Sequence, residues 1–161
     1  FMQGVVNHRI YVVRSGLLSL NYLKEDGSEW IKSFVYEGRF FASVIALAPQ
    51  GRTSFMVRAI ESSVLESVDY RLLEKLAAQH LAWSEVLRKL TMLFAISKEQ
   101  RERELLTLNA QTRYTAFRDA NPDLAKRIPQ KDLARFLGLT PVGLNRIIAR
   151  VRRDEREFEE Q

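Results

Sequence analysis

Ile128-Pro129-Gln130-Lys131-Asp132-Leu133-Ala134-Arg135-Phe136-Leu137-Gly138-Leu139-Thr140-Pro141-Val142-Gly143-Leu144-Asn145-Arg146-Ile147-Ile148 is the stretch that decides how this 161-residue chain reads. Pro129 suits a helix start, where a missing N–H costs nothing. Leu133, Ala134 and Leu137 then lay an apolar stripe along one side of that helix. Gly138 supplies the left-handed residue that ends it. Thr140 caps a second helix, with Pro141 at its first position. Leu144, Ile147, Ile148 and Val151 form the second helix's buried face, and small Ala134 lets the two helices cross closely. Two short helices joined by a tight glycine turn make a helix-turn-helix.

The opposite face of the second helix carries Val142, Asn145, Arg146, Ala149 and Arg150. Arginine can contact guanine through two hydrogen bonds in the major groove, asparagine can read adenine, and a valine can touch a thymine methyl. Thr140 at the helix start, Gln130 and Lys131 on the preceding helix, and Arg152 and Arg153 further along complete the expected DNA-facing set, the last two at phosphates. Charge is concentrated here. Residues 112–153 carry 10 basic and 3 acidic side chains, whereas residues 1–80 carry 9 and 8. Such a segment is either a solvated helical surface or the footprint of a polyanion partner. Combined with the helix-turn-helix spacing, it points to double-stranded DNA.

Upstream, Gly4, Gly16, Gly27, Gly38 and Gly51 recur every 11 to 13 residues, and no glycine follows until Gly138. Between them lie β-branched and aromatic runs: Ile10 to Val13, Leu17 to Tyr22 and Trp30 to Val35, followed by Phe55 to Ile60 and Val64 to Val68. Short strands at that turn spacing predict an antiparallel barrel or jelly roll over residues 1–80. Asp69 is a good cap for a helix from Tyr70 to Gln79. From Leu81 to Leu108 the chain has neither glycine nor proline, and Val86, Leu87, Leu90, Leu93, Phe94 and Ile96 fall at helical spacing. A long helix of this kind is either a dimer spine or one packed on its own barrel. The run Lys98 to Glu104 is all polar, so the helix passes there from one environment into another. Asn109 caps a further helix that Asn121-Pro122 ends. The acidic end, Asp154 to Gln161, reads as a frayed, solvating tail. The fold class is therefore α+β: sensor-like barrel over 1–80, dimerisation helix over 81–108, helix-turn-helix domain over 109–161.

Several chemistries are excluded by composition. No cysteine occurs in the 161 residues, so they hold no disulfide, thiolate metal site or cysteine nucleophile. His8 and His80 stand 72 positions apart and no metal site is expected from them. No P-loop, Gly-x-Ser-x-Gly or Gly-x-Gly-x-x-Gly motif occurs, so no enzyme is expected. No stretch is apolar for long enough to cross a membrane, and a cytoplasmic protein is expected. The sequence opens at Phe1 in strand-like text, so a preceding segment is expected.

The order barrel, long helix, helix-turn-helix resembles the Crp/Fnr family of transcription factors. The resemblance rests on Ile10-Tyr11-Val12-Val13-Arg14-Ser15-Gly16-Leu17, Glu37-Gly38-Arg39-Phe40-Phe41, Thr112-Arg113-Tyr114 and the 128–148 stretch. It implies a winged helix-turn-helix reader, a homodimer paired through the long helices, a small-molecule effector for the barrel, and RNA polymerase as a further partner. It also implies where the chain departs from the family. Members that bind cyclic AMP use a Gly-Glu step and an Arg-Ser pair in a phosphate cassette. Here the corresponding positions look like Ala42-Ser43 and Thr53-Ser54, with Arg52 one place off and hence on the other strand face. No cyclic nucleotide and no other cofactor is therefore expected; the effector is uncharged or absent, and would lie among Phe41, Ser43, Thr53, Ser54 and Phe55. The alternative is a ligand-binding or protein-interaction module whose C-terminal helices are scaffold.

Overall fold

The architecture comes from a computed structural model that describes residues 1–159, with the side chain of Glu159 left out. It divides into two compact units, Phe1–Ser97 and Lys98 onward. The boundary falls inside the long helix, at the start of the polar run Lys98 to Glu104.

The first unit holds strands β1 (Arg9–Ser15), β2 (Leu17–Leu23), β3 (Glu29–Tyr36), β4 (Phe40–Phe41), β5 (Met56–Ala59) and β6 (Val64–Asp69), with the short helix α1 (Val44–Leu47) between β4 and β5. All strand pairings are antiparallel, in two three-stranded sheets ordered β4-β1-β6 and β3-β2-β5. Five of the six strands thus form on the apolar runs named from the sequence, β4 being the addition, but as two separate sheets. The expected closed barrel is not formed, and the jelly-roll form of that expectation is the nearer one.

Val13, Leu18, Leu20, Val35, Phe41 and Phe55 form one core, with Phe1, Tyr11 and Val57 packed against it. Tyr11 and Phe41 stack at 5.1 Å, and Phe1 lies 5.7 Å from the rings of both Tyr11 and Phe55. Each fully buried side chain of this size contributes roughly 1.5–3 kcal/mol. The first residues are tied in by backbone bonds from Val57 to the Phe1 carbonyl and between Thr53 and both Gly4 and Val5.

Helix α2 (Tyr70–Gln79) starts where expected, because the Asp69 carboxylate accepts from the Arg71 amide. Helix α3 (Leu81–Thr107) has no buried residue. Its Phe94 meets Phe40 edge-on at 5.0 Å in a second core with Ile10, Ala42 and Leu73. Val86, Leu93 and Ile96 on the same helix remain exposed.

The second unit continues with α4 (Ala110–Ala120), α5 (Pro122–Arg127), α6 (Gln130–Leu137) and α7 (Pro141–Glu159). Asn109 caps α4 through its side chain, as expected. Helix α5 was not expected; Pro122, which ends α4, also starts it. Two further expectations change. The tail is not frayed, because α7 runs on through Glu159 and Glu155 pairs with Arg118 of α4 at 2.8 Å; Glu160 and Gln161 lie outside the described residues. No strand follows Asp69 among the described residues, so none of these residues forms a wing. The chain after Gly143 contains no glycine or proline to turn a hairpin, and α7 continues instead.

Gly16 sits at φ +96° between β1 and β2, and a Cβ there would lie 2.4 Å from the Ser62 carbonyl oxygen. Gly27 has φ +77° but open space around it. Gly16→Ala should destabilise the first unit by about 3 kcal/mol and Gly27→Ala by only about 1 kcal/mol, measured by urea denaturation.

Candidate nucleic-acid interface

Helices α6 and α7 meet as the sequence predicts. Ala134 and Leu144 are fully buried at the crossing, beside Leu133, Leu137 and Val151. Ile147 and Ile148 are half-buried. Gly138 adopts φ 73°, ψ 33°, the left-handed stop. The Thr140 hydroxyl accepts from the Gly143 amide at 3.0 Å, which fixes the first turn of α7.

The core contacts leave one side of α7 open. Val142, Asn145, Arg146, Ala149 and Arg150 are all exposed, with Thr140 at the N-terminal end and Gln130 and Lys131 alongside on α6. Arg146 and Arg150 make no ion pair among the described residues, so both guanidinium groups are available to an outside acceptor. Two members of the set behave differently from expectation. The Gln130 amide donates to Asn145 Oδ1, a cross-brace between the two helices. Bidentate reading of adenine uses both ends of the asparagine amide, and one end is here engaged. Arg153 stands 3.9 Å from both Asp154 and Glu157, so its charge is partly countered by its own helix. Arg152 is exposed, and its carbonyl accepts from Arg156.

The end of α6 is satisfied in an unusual way. The last four carbonyls of any α-helix lack partners within it. Those of Ala134 and Arg135 accept from the amides of Leu139 and Gly138, the local solution that a left-handed glycine allows. The next two accept from arginines elsewhere in the chain. Arg101 of α3 donates to the Phe136 carbonyl, with its guanidinium 3.9 Å from the Phe136 ring centroid. Arg113 of α4 donates to the Leu137 carbonyl at 3.2 Å and to the Leu108 carbonyl at 2.5 Å. Burial, and the neighbouring Arg113 charge, hold Arg101 below its ordinary pKa, while Glu104 at 3.7 Å acts the other way. The Thr112-Arg113-Tyr114 motif stood out in the sequence, but nothing in its spacing pointed to α6, and Arg101 gave no signal at all.

In the first unit, the five residues of the expected effector site are close together and already engaged. Thr53 Oγ1 donates to the Met2 carbonyl and accepts from the Val5 amide. Ser43 Oγ accepts from the Ser54 amide at 3.1 Å. Phe41 and Phe55 are buried in the aromatic core. Arg52 points away, donating to the Gly4 carbonyl at 3.0 Å. His8 is half-buried and His80 exposed, and the described residues contain no group of three side chains able to hold a metal. No described helix is long and apolar enough to cross a membrane.

No family model matches the chain. It is 26% identical over 161 residues to the anaerobic regulatory protein of Haemophilus influenzae, covering 93% of this chain and 62% of that protein. It is 24% identical over 166 residues to the fumarate and nitrate reduction regulatory protein of Vibrio cholerae, covering 96% of this chain and 66% of that protein. The chain thus spans under two thirds of the length of these curated relatives. Among solved structures, FixK2 from Bradyrhizobium japonicum superposes with a TM-score of 0.81 at 20% identity, covering 96% of this chain and 80% of that one. The catabolite activator protein of Thermus thermophilus gives 0.56 at 21% identity, covering 96% and 74%.

Thr140→Ala removes the side-chain acceptor at the start of α7. It should lower the stability of the second unit by about 1 kcal/mol in thermal unfolding, and Thr140→Ser should restore most of it.

Proposed function

We propose, from the premise that this chain is of the Crp/Fnr type in fold and aligns with curated regulators of that type over nearly all its length, that it is the effector-sensing and DNA-reading part of a dimeric transcription regulator. One observation carries the reading: an exposed face of α7 presents Arg146 and Arg150 without ion-pair partners among the described residues, opposite the buried Leu144 and Val151. A helix held that way can enter the major groove by its N-terminal end, with Thr140 near a phosphate, Val142 against a base edge and Arg146 one turn inside. Arg152 and Arg153 are proposed at phosphates, where they add affinity without sequence information.

The exposed Val86, Leu93 and Ile96 on α3 support the homodimer, since residues three and seven apart share one helix face. Two readers on a twofold axis would require a palindromic site with half-sites about 34–36 Å apart. For the sensor, the internal bonding of Ser43, Thr53 and Ser54 supports a reading without a charged cyclic nucleotide. An effector seated among those residues, Phe41 and Phe55 would be uncharged and would displace side chains that now fill the space. RNA polymerase as a partner rests on the resemblance alone.

Arg146→Ala should cost roughly 1–3 kcal/mol on the selected operator and relax preference at one base pair per half-site, measured by gel shift on a randomised library. An unchanged operator affinity and selectivity in a folded variant would favour the alternative, in which α6 and α7 are scaffold.

A further inference from the structure

We infer that Arg101 and Arg113 are positioning residues that lock the helix-turn-helix to the last turns of α3, and so set the direction in which the reader helix is presented. The end of α6 leaves four carbonyls to be satisfied, and the Gly138 turn accounts for only two of them. The Phe136 and Leu137 carbonyls are taken by guanidinium groups from α3 and α4. Arg113 spans two elements at once, because its other nitrogen holds the Leu108 carbonyl just beyond α3. Such a bridge needs a rigid planar fork with separated donors; an ammonium group is a single point. Cations at a helix C-terminus also meet the negative end of its dipole.

The charges confirm that these contacts carry cost as well as gain. The two guanidinium groups lie close enough to oppose one another, and among the described residues Arg101 has a carboxylate partner only in Glu104 at 3.7 Å. Arg113 has no carboxylate partner among the described residues, and its Nε is buried without an acceptor. A half-buried cation with so little compensation persists where the carbonyls it holds would otherwise be orphaned. Residues from Lys98 onward accordingly belong to the reader's compact unit, although they continue the helix that begins at Leu81.

The consequence for DNA rests on the proposed reading of α7 and of the dimer; the lock itself does not. The test uses the full chain with Arg113→Met and Arg113→Lys, and two measurements. The first is hydrogen exchange without DNA. Arg113→Met should raise exchange about tenfold at the amides of 104–108 and 136–140 together, leaving strands β1 and β2 unchanged, with Arg113→Lys intermediate. Unchanged exchange at 136–140 would overturn the lock, and so would equal loss of protection throughout α4 to α7 in both variants. The second measurement is binding to palindromic duplexes whose half-site spacing is the preferred one or one base pair longer. Arg113→Met should bind the preferred spacing about tenfold more weakly, discriminate less between the spacings, and keep the wild-type salt slope. A salt slope reduced by about one would instead mark Arg113 as a phosphate contact and overturn the inference. Unaltered spacing discrimination would overturn it too. If Arg113→Met does not fold, Arg101→Gln carries both measurements. Failure of the wild-type chain to bind any duplex would sink the proposed function, while the exchange measurement still decides the lock.

Discussion

The carbonyls at the end of α6 are the constraint on which the second unit depends. A helix of eight residues leaves half its carbonyls without internal partners, and this one ends in a buried corner beside Leu137. Gly138 answers part of the problem by turning left-handed, and the same turn aims the chain at Thr140, which starts α7. Arg101 and Arg113 answer the rest. The turn that joins the two helices and the contacts that hold them are therefore one arrangement, and the exposed cationic face of α7 is a product of it.

The first unit is governed by a different balance. Its two sheets bury an aromatic cluster in which Phe1, Tyr11, Phe41 and Phe55 touch in sequence-distant pairs. The polar groups that a charged ligand would need, on Ser43, Thr53 and Ser54, are bonded to the backbone or to each other. Buried hydroxyls left without partners would cost about 1–3 kcal/mol each, so their mutual satisfaction favours the unliganded arrangement.

Local chemistry was the legible part of the sequence. Asp69, Asn109, Gly138 and Thr140 each act through a bond to a residue five positions away or fewer, and each forms where the sequence predicts it. Helical spacing of apolar residues also located the α7 face, and glycine spacing with β-branched runs located most of the strands. What could not be read was set by long-range contact or by competition. Whether six strands close into a barrel depends on sheet edges meeting, which no local pattern encodes. Pro122 serves both as a stop and as a start, and only the stop was evident. The charged run from Asp154 reads as solvated text until Arg118, 37 residues upstream of Glu155, supplies a partner. Arg101 reaching Phe136 is of the same kind, across 35 positions.

On the proposed function, two copies of this chain present α7 to one palindromic duplex. Sedimentation of the chain with a selected palindromic duplex, across a range of salt, tests it most directly. The account predicts two chains per duplex, released steeply as salt rises. One chain per duplex, or no salt-sensitive binding to any sequence, would contradict it.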